Sequence, residues 1–189
     1  MDNPLTPEQK GVIQQCKDAG FNPDMAFTLT LDLDKGRSKK ITNHSSRKTR
    51  AEKITSKWMN TNPDAQQKLY DELESMFKIL YEELAKKCYG NNCKRLAIKN
   101  PCKKFRSFGG AERSCNGMLH IHGAAILPSH VDFEELKRWM VDIWSSFYIG
   151  SKQQYKFKNI YDVDGWIEYI SKDFHKNNSM GYISESKLN

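Results

Sequence analysis

His120 and His122 stand one residue apart, and Glu112 lies eight residues before the first of them. On a strand, residues two apart share a face, so the two imidazoles would be about 6–7 Å apart, the scale on which two rings hold one ion. The carboxylate follows from hairpin geometry. If Cys115-Asn116-Gly117 is a three-residue turn with Gly117 in the left-handed position, Arg113 pairs with Leu119 and Glu112 with His120. Paired residues share a face at roughly 5 Å between Cβ atoms. Two imidazoles and one carboxylate with open positions suit a divalent ion, and such a facial set is also used by non-haem iron. The plain alternative is a pair of strand histidines that only pack or face solvent.

A second group lies downstream. Tyr169 and Lys172 are three residues apart, and Tyr169 and Asp173 four apart, so on a helix they are surface neighbours. A free tyrosine, with a pKa of about 10, is a weak nucleophile at neutral pH. It becomes competent when a cation stabilises its developing charge and the target is held in line. Lys172 could supply that charge. Alone, the spacing is also that of any surface tyrosine beside a lysine.

The charge distribution points to the target. The chain of 189 residues has a net charge of +7, and residues 35–57 hold nine Lys or Arg against one acid, Glu52. The remainder is close to neutral, so the basicity is local and suits a polyanion. Lys35, Arg37, Lys39, Lys40, Arg47, Lys48 and Arg50 could form a track for a phosphate backbone, with Arg106 and Phe108 touching the strand near the metal hairpin. With a phosphodiester as target, the expected ion is Mn or Mg, which polarises a phosphoryl oxygen.

The elements that must position these groups are legible from periodicity. Residues 26–33 alternate as a strand. Asn62-Pro63 opens a helix whose apolar stripe is Leu69, Leu73, Met76, Phe77, Leu80 and Leu84, ended by Gly90. Residues 94–99 and 104–113 read as strands separated by Asn100-Pro101, and 118–127 as a strand stopped by Pro128. Residues 132–147 form a second helix, 155–160 a strand, and Asp162 or Asp164 caps a third helix ending near His175. Clustered strands with hairpins predict an α+β fold, a central antiparallel sheet of about five strands flanked by helices. Residues 1–25 form a helical or loose arm, 26–176 the domain with 35–61 as a basic loop or insertion, and 177–189 a polar tail.

The bulk properties exclude other classes. No apolar run approaches the roughly 18 residues of a membrane span, and Met1-Asp2-Asn3-Pro4 opens no secretory signal. The expectation is an intracellular protein with no membrane partner. Five cysteines, Cys16, Cys88, Cys93, Cys102 and Cys115, without a CxxC pair read as free thiols. Other HxH enzymes fit poorly. A metallo-β-lactamase site continues as HxHxDH, whereas Gly123-Ala124-Ala125 follows here. An amidohydrolase barrel, at about 250 residues, is longer than this chain.

The ordered motifs resemble those of HUH endonucleases, the catalytic domains of rolling-circle replication initiators. Phe27-Thr28-Leu29-Thr30 stands where that family has its first strand motif. His120-Ile121-His122 matches the HUH signature, with Glu112 at the spacing of the third ligand in geminivirus-type proteins. Tyr169-Ile170-Ser171-Lys172-Asp173 is similar to the motif that carries the nucleophile. The resemblance covers about residues 26–175.

The resemblance implies an RRM-like sandwich with the histidines on central strands and the tyrosine on an adjacent helix. It implies a single-tyrosine nicking and joining enzyme with Mn or Mg. Tyr169 would attack single-stranded DNA at a replication origin of a virus, phage or plasmid. The product would be a 5′-phosphotyrosine and a 3′-OH that a host polymerase extends. Its setting would be the bacterial cytoplasm or a host cell, the nucleus for a eukaryotic virus. The sequence lacks GxxxxGK(S/T), so unwinding falls to a separate helicase or a further domain. The basic stretch and the helix after it are longer than in compact viral members. Two other readings stay open: a transposase or mobilisation enzyme of the same fold, and a non-catalytic DNA-binding module with a degenerate site.

Overall fold

A computed structural model describes residues 5–31, 63–113, 119–147, 150–171 and 183–184. The basic stretch 35–57, Lys172, Cys115 and most of the tail lie outside the described residues.

The chain forms an α+β structure around an antiparallel sheet. Its strands are β1 (Met25–Leu31), β2 (Ser107–Arg113), β3 (Leu119–Ala125) and β4 (Gly150–Asn159), in the order β4-β1-β3-β2. The two-residue segment Ile183–Ser184 borders β2 opposite Phe108 and Gly109. The helices are α1 (Pro7–Asp18), α2 (Pro63–Tyr89), α3 (Cys93–Lys99), α4 (Phe133–Ser146) and α5 (Val163–Ser171).

One face of the sheet carries the larger core. Met25, Phe27, Leu29 and Leu31 of β1, with Ile121 and Ala125 of β3, meet the α2 stripe Leu73, Met76, Phe77, Leu80 and Leu84. From α4 come Leu136, Met140, Ile143 and Trp144. Side chains that alternate on a strand and recur every three or four residues on a helix bury each other here. Gly123 is required at one crossing, because a Cβ there would stand 2.1 Å from the Phe27 ring.

The opposite face is covered only in part. Phe108 and Ala124 pack with Val12, Cys16 and Phe21, and with Ile167 and Ile170 of α5. Thr6 caps α1 with a reciprocal bond to Gln9, and Lys17 reaches Asp164 of α5 at 2.6 Å. This smaller core covers the Phe108 end of the face and leaves the Glu112 end open, which sets the place of the candidate site.

Three expectations need correction. Residues 94–99 form α3, not a strand: Arg95, Leu96, Ala97 and Lys99 favour a helix, and Ile98, which alternation would place inward, is 83% exposed. Extended Asn100 and Pro101 end it. The next strand begins at Ser107 instead of 104, because Pro101–Lys103 forms a 3-10 turn first. The strand expected at 155–160 begins at Gly150. Asp162 caps α5, its Oδ1 accepting from the Gly165 amide at 2.9 Å. Cys16, Cys88 and Cys93 are buried free thiols and Cys102 is exposed. Burial pushes the Cys16 thiol up to about 11 and the Cys88 thiol up to about 12. Among the described residues, no helix is long and apolar enough to cross a membrane.

Candidate active site

The ladders place four strands' side chains in rows. Arg113 pairs with Leu119 and Glu112 with His120, the register the three-residue turn predicts. On the other side of β3, Thr30 pairs with His120 and Thr28 with His122. Thr28 also pairs with Lys156 of β4. One row therefore reads Thr30, His120, Glu112, and the next Lys156, Thr28, His122, Gly110.

The threonines hold the imidazoles. Thr28 Oγ1 and His122 Nδ1 share a hydrogen bond of 2.9 Å, and Thr30 Oγ1 and His120 Nδ1 share another of 2.9 Å. A hydroxyl both donates and accepts, so each threonine can serve either tautomer. Both bonds turn Nε2 away from β1. A ligating histidine is ordinarily anchored in this way through its second ring nitrogen. The two rings are 6.0 Å apart between centroids.

Glu112 Oε2 lies 2.8 Å from His122 Nε2, with side chains 19% and 12% exposed. Glu112 thus crosses diagonally from its own row to the next, where Gly110 contributes no side chain. Two donors each about 2.1 Å from a shared ion and at right angles to it stand ~3 Å apart, so this pair has the spacing of neighbouring ligands. Among the described residues, no three His, Cys, Asp or Glu enclose one point as they stand. The donor set still fits a divalent ion in chemistry: two anchored imidazoles and one carboxylate on one face. Glu112, His120 and His122 are the residues that would hold it.

Helix α5 brings the phenol to this end of the sheet. Trp166 and Tyr169, one helical turn apart, share a face beside the inward Ile167 and Ile170. The Trp166 indole donates to the Gly123 carbonyl at 3.1 Å. Its ring stacks on Tyr169 at 5.1 Å and 22°, and Tyr169 meets the His122 ring edge-on at 5.1 Å. Tyr169 is 39% exposed. The phenol is therefore fixed through its ring and open to solvent. Glu112, His120, His122 and Tyr169 line one open cleft of about 770 Å³.

Two expected DNA contacts take other roles. Phe108 is 2% exposed and belongs to the smaller core, so it cannot stack on a base. Arg106 donates to the Ala19 and Gly20 carbonyls at 2.7 and 3.0 Å and lies over the Phe21 ring. Its guanidinium closes the end of α1, where carbonyls lack helical partners. Lys39, Lys40, Arg47, Lys48 and Arg50 lie outside the described residues, as does Lys172.

Sequence reasoning missed the cations that do line the cleft. Lys156 and Lys158 of β4 are exposed and border it with Gln154. The signal was present: Tyr155-Lys156-Phe157-Lys158 alternates, which puts both lysines on one face.

No protein-family model, no curated protein and no solved structure matches this chain.

Proposed function

We propose that this chain is a metal-dependent nuclease and strand transferase of the HUH type, acting on single-stranded DNA. The observation that carries the reading is the meeting of Glu112, His120 and His122 with Tyr169 at one open end of the sheet. The resemblance of the three ordered motifs, and the sheet order with both histidines on a central strand, support it.

In the proposed reaction Tyr169 Oη attacks the phosphorus of a phosphodiester. The Oη–P bond forms as the P–O3′ bond breaks. The phenol proton is lost to solvent or base, and the departing 3′ oxygen takes up a proton. The 5′-phosphotyrosine keeps the energy of the broken ester, so the reverse attack by a 3′-OH rejoins a strand without ATP. A divalent ion, Mn or Mg, would supply a Lewis acid at a phosphoryl oxygen when bound by Glu112, His120 and His122. Thr28 and Thr30 fix the imidazoles. Trp166 and His122 fix the phenol ring. Lys156 and Lys158 offer positive charge to the strand, and Lys172, three residues after Tyr169 in the sequence, is proposed to add more.

The biological role that goes with this chemistry is initiation and termination of rolling-circle replication of a virus, phage or plasmid. A separate helicase and a host polymerase would be its partners. The test is cleavage of a varied pool of single-stranded oligonucleotides with Mn or Mg. Cleavage abolished by chelator and by His120→Ala supports the reading. Retained binding with no cleavage across the pool overturns it in favour of a DNA-binding module.

A further inference from the structure

Ile98 is 83% exposed, and among the described residues it is the one large aliphatic side chain that stands exposed. Its surroundings follow from the shortness of α3. Cys93, at the start of that helix, is buried in the larger core. Ala97, one turn on, shares that face with only a methyl group. A groove of about 610 Å³ is left between α2 and α3, lined by Tyr81 and Ala85 on one side, Ala97 and Ile98 on the other, and Phe105 beyond them. Phe105 is 1% exposed. The Tyr81 hydroxyl donates to the Phe105 carbonyl, and the two rings lie tilted at 5.7 Å. Tyr81 thus spends its polar group on the backbone and gives the groove an apolar wall.

The rim of this groove is charged. Lys78, Lys94, Lys103 and Lys104 line it against Glu74 and Glu82. Lys94 meets Glu82 at 2.9 Å while staying 74% exposed. Residues 84–111, which supply α3 and the segment after it, hold eight Lys or Arg and no Asp or Glu. The groove therefore joins an apolar centre to a surplus of cations.

It is also separate from the cleft. Phe77, which borders the groove, packs with Phe27, Leu29 and Ile121. Those residues alternate with Thr28, Thr30, His120 and His122, so groove and cleft lie on opposite faces of the sheet.

We propose that this groove docks an acidic, amphipathic segment of a partner protein. Its apolar side chains would enter beside Ile98 and Tyr81, and its Asp or Glu residues would meet the lysine rim. An apolar centre within a charged rim is the anatomy of a protein-binding patch, and the surplus of lysines sets the sign of the partner's charge. A nucleic acid would bring phosphates to the lysines and leave Ile98 uncovered. The rings it could stack on are the buried Phe105 and the half-buried Tyr81. A segment with apolar residues on one side and acids on the other satisfies both features at once. The inference stands on this shape and charge, independently of the reaction proposed above.

The test uses the full chain and a panel of fluorescent synthetic peptides rich in Glu, with Leu and Phe at helical spacing. Each has a copy with Ser in place of Leu and Phe. Anisotropy should show binding of the apolar peptides and about tenfold or more weaker binding of the serine copies. Ile98→Ser, at an exposed position, should keep the fold by circular dichroism, weaken the apolar peptides about tenfold and leave their salt dependence unchanged. Lys78→Glu with Lys103→Glu should weaken the same peptides and flatten their salt dependence. Equal binding of the serine copies, no binding across the panel, or indifference to Ile98→Ser overturns the proposal. Two further results overturn the choice of occupant. Loss of oligo-dT or duplex binding in Ile98→Ser would assign the groove to nucleic acid, and self-association lost in Ile98→Ser would assign it to a second copy of this chain. None of these readouts requires cleavage, so the proposal and the nuclease reading can fail separately.

Discussion

Glu112 Oε2 stands 2.8 Å from His122 Nε2, although the residue Glu112 faces across the ladder is His120. The carboxylate therefore bridges two rows of the sheet, touching one imidazole and paired across the ladder with the residue that carries the other. If the three act as one ion site, Glu112→Ala should weaken Mn binding about 100-fold. At Mn equal to 100 times the wild-type Kd, stabilisation should fall from about 2.7 to ~0.4 kcal/mol. Thermal unfolding with and without Mn reads this directly. An equal Mn-dependent rise in Tm in both proteins would remove Glu112 from the site.

Thr28→Val and Thr30→Val keep the β-branched shape of a strand residue and delete the hydroxyl that holds each Nδ1. Each should cost about 10–100-fold in Mn affinity. The sheet should stay folded by circular dichroism. Nitrogen NMR of the imidazoles should show mixed tautomers in the variants and one in the wild type. Identical tautomer signals would show that the threonines do not position the rings.

Lys156 and Lys158 form the exposed cationic edge of the cleft. Their joint replacement by Ala should weaken oligo-dT binding and reduce its log–log salt slope by about 1.4. An unchanged slope would take β4 out of the strand path.

Gly123→Ala would place a Cβ 2.1 Å from the Phe27 ring. Overpacking of this kind costs about 1–3 kcal/mol, or ~2–4 °C of Tm for each kcal/mol in a chain of this size. Phe27→Leu in the same chain should recover part of the loss. A Gly123→Ala protein as stable as wild type would contradict the packing described.

The sequence carried much of this site because strand pairing is arithmetic. An alternation of two, and a turn of three residues with glycine last, place Glu112 opposite His120. What it could not carry was which end of the face stays open. That depends on α1 and α5 packing over Phe108 and Ala124, a contact between residues far apart in the chain. The same packing turned Phe108 and Arg106 from expected DNA contacts into core and helix-end residues. Residues 94–99 carry a strand-like pattern, because Leu96 and Ile98 alternate with small or charged residues, yet they form a helix. A short apolar pattern does not separate strand from helix, and local propensity won. The threonine anchors needed the neighbouring strand, which no local pattern names.

The central claim is that Tyr169 is the nucleophile of a metal-dependent strand transfer. The direct measurement is a denaturing gel of wild type and Tyr169→Phe after incubation with Mn and a pool of single-stranded oligonucleotides, with the linked peptide sequenced by mass spectrometry. The account predicts a slower protein band that carries DNA on Tyr169, absent in Tyr169→Phe and absent with chelator. A covalent band that survives in Tyr169→Phe, mapped to another tyrosine such as the exposed Tyr161, would contradict it.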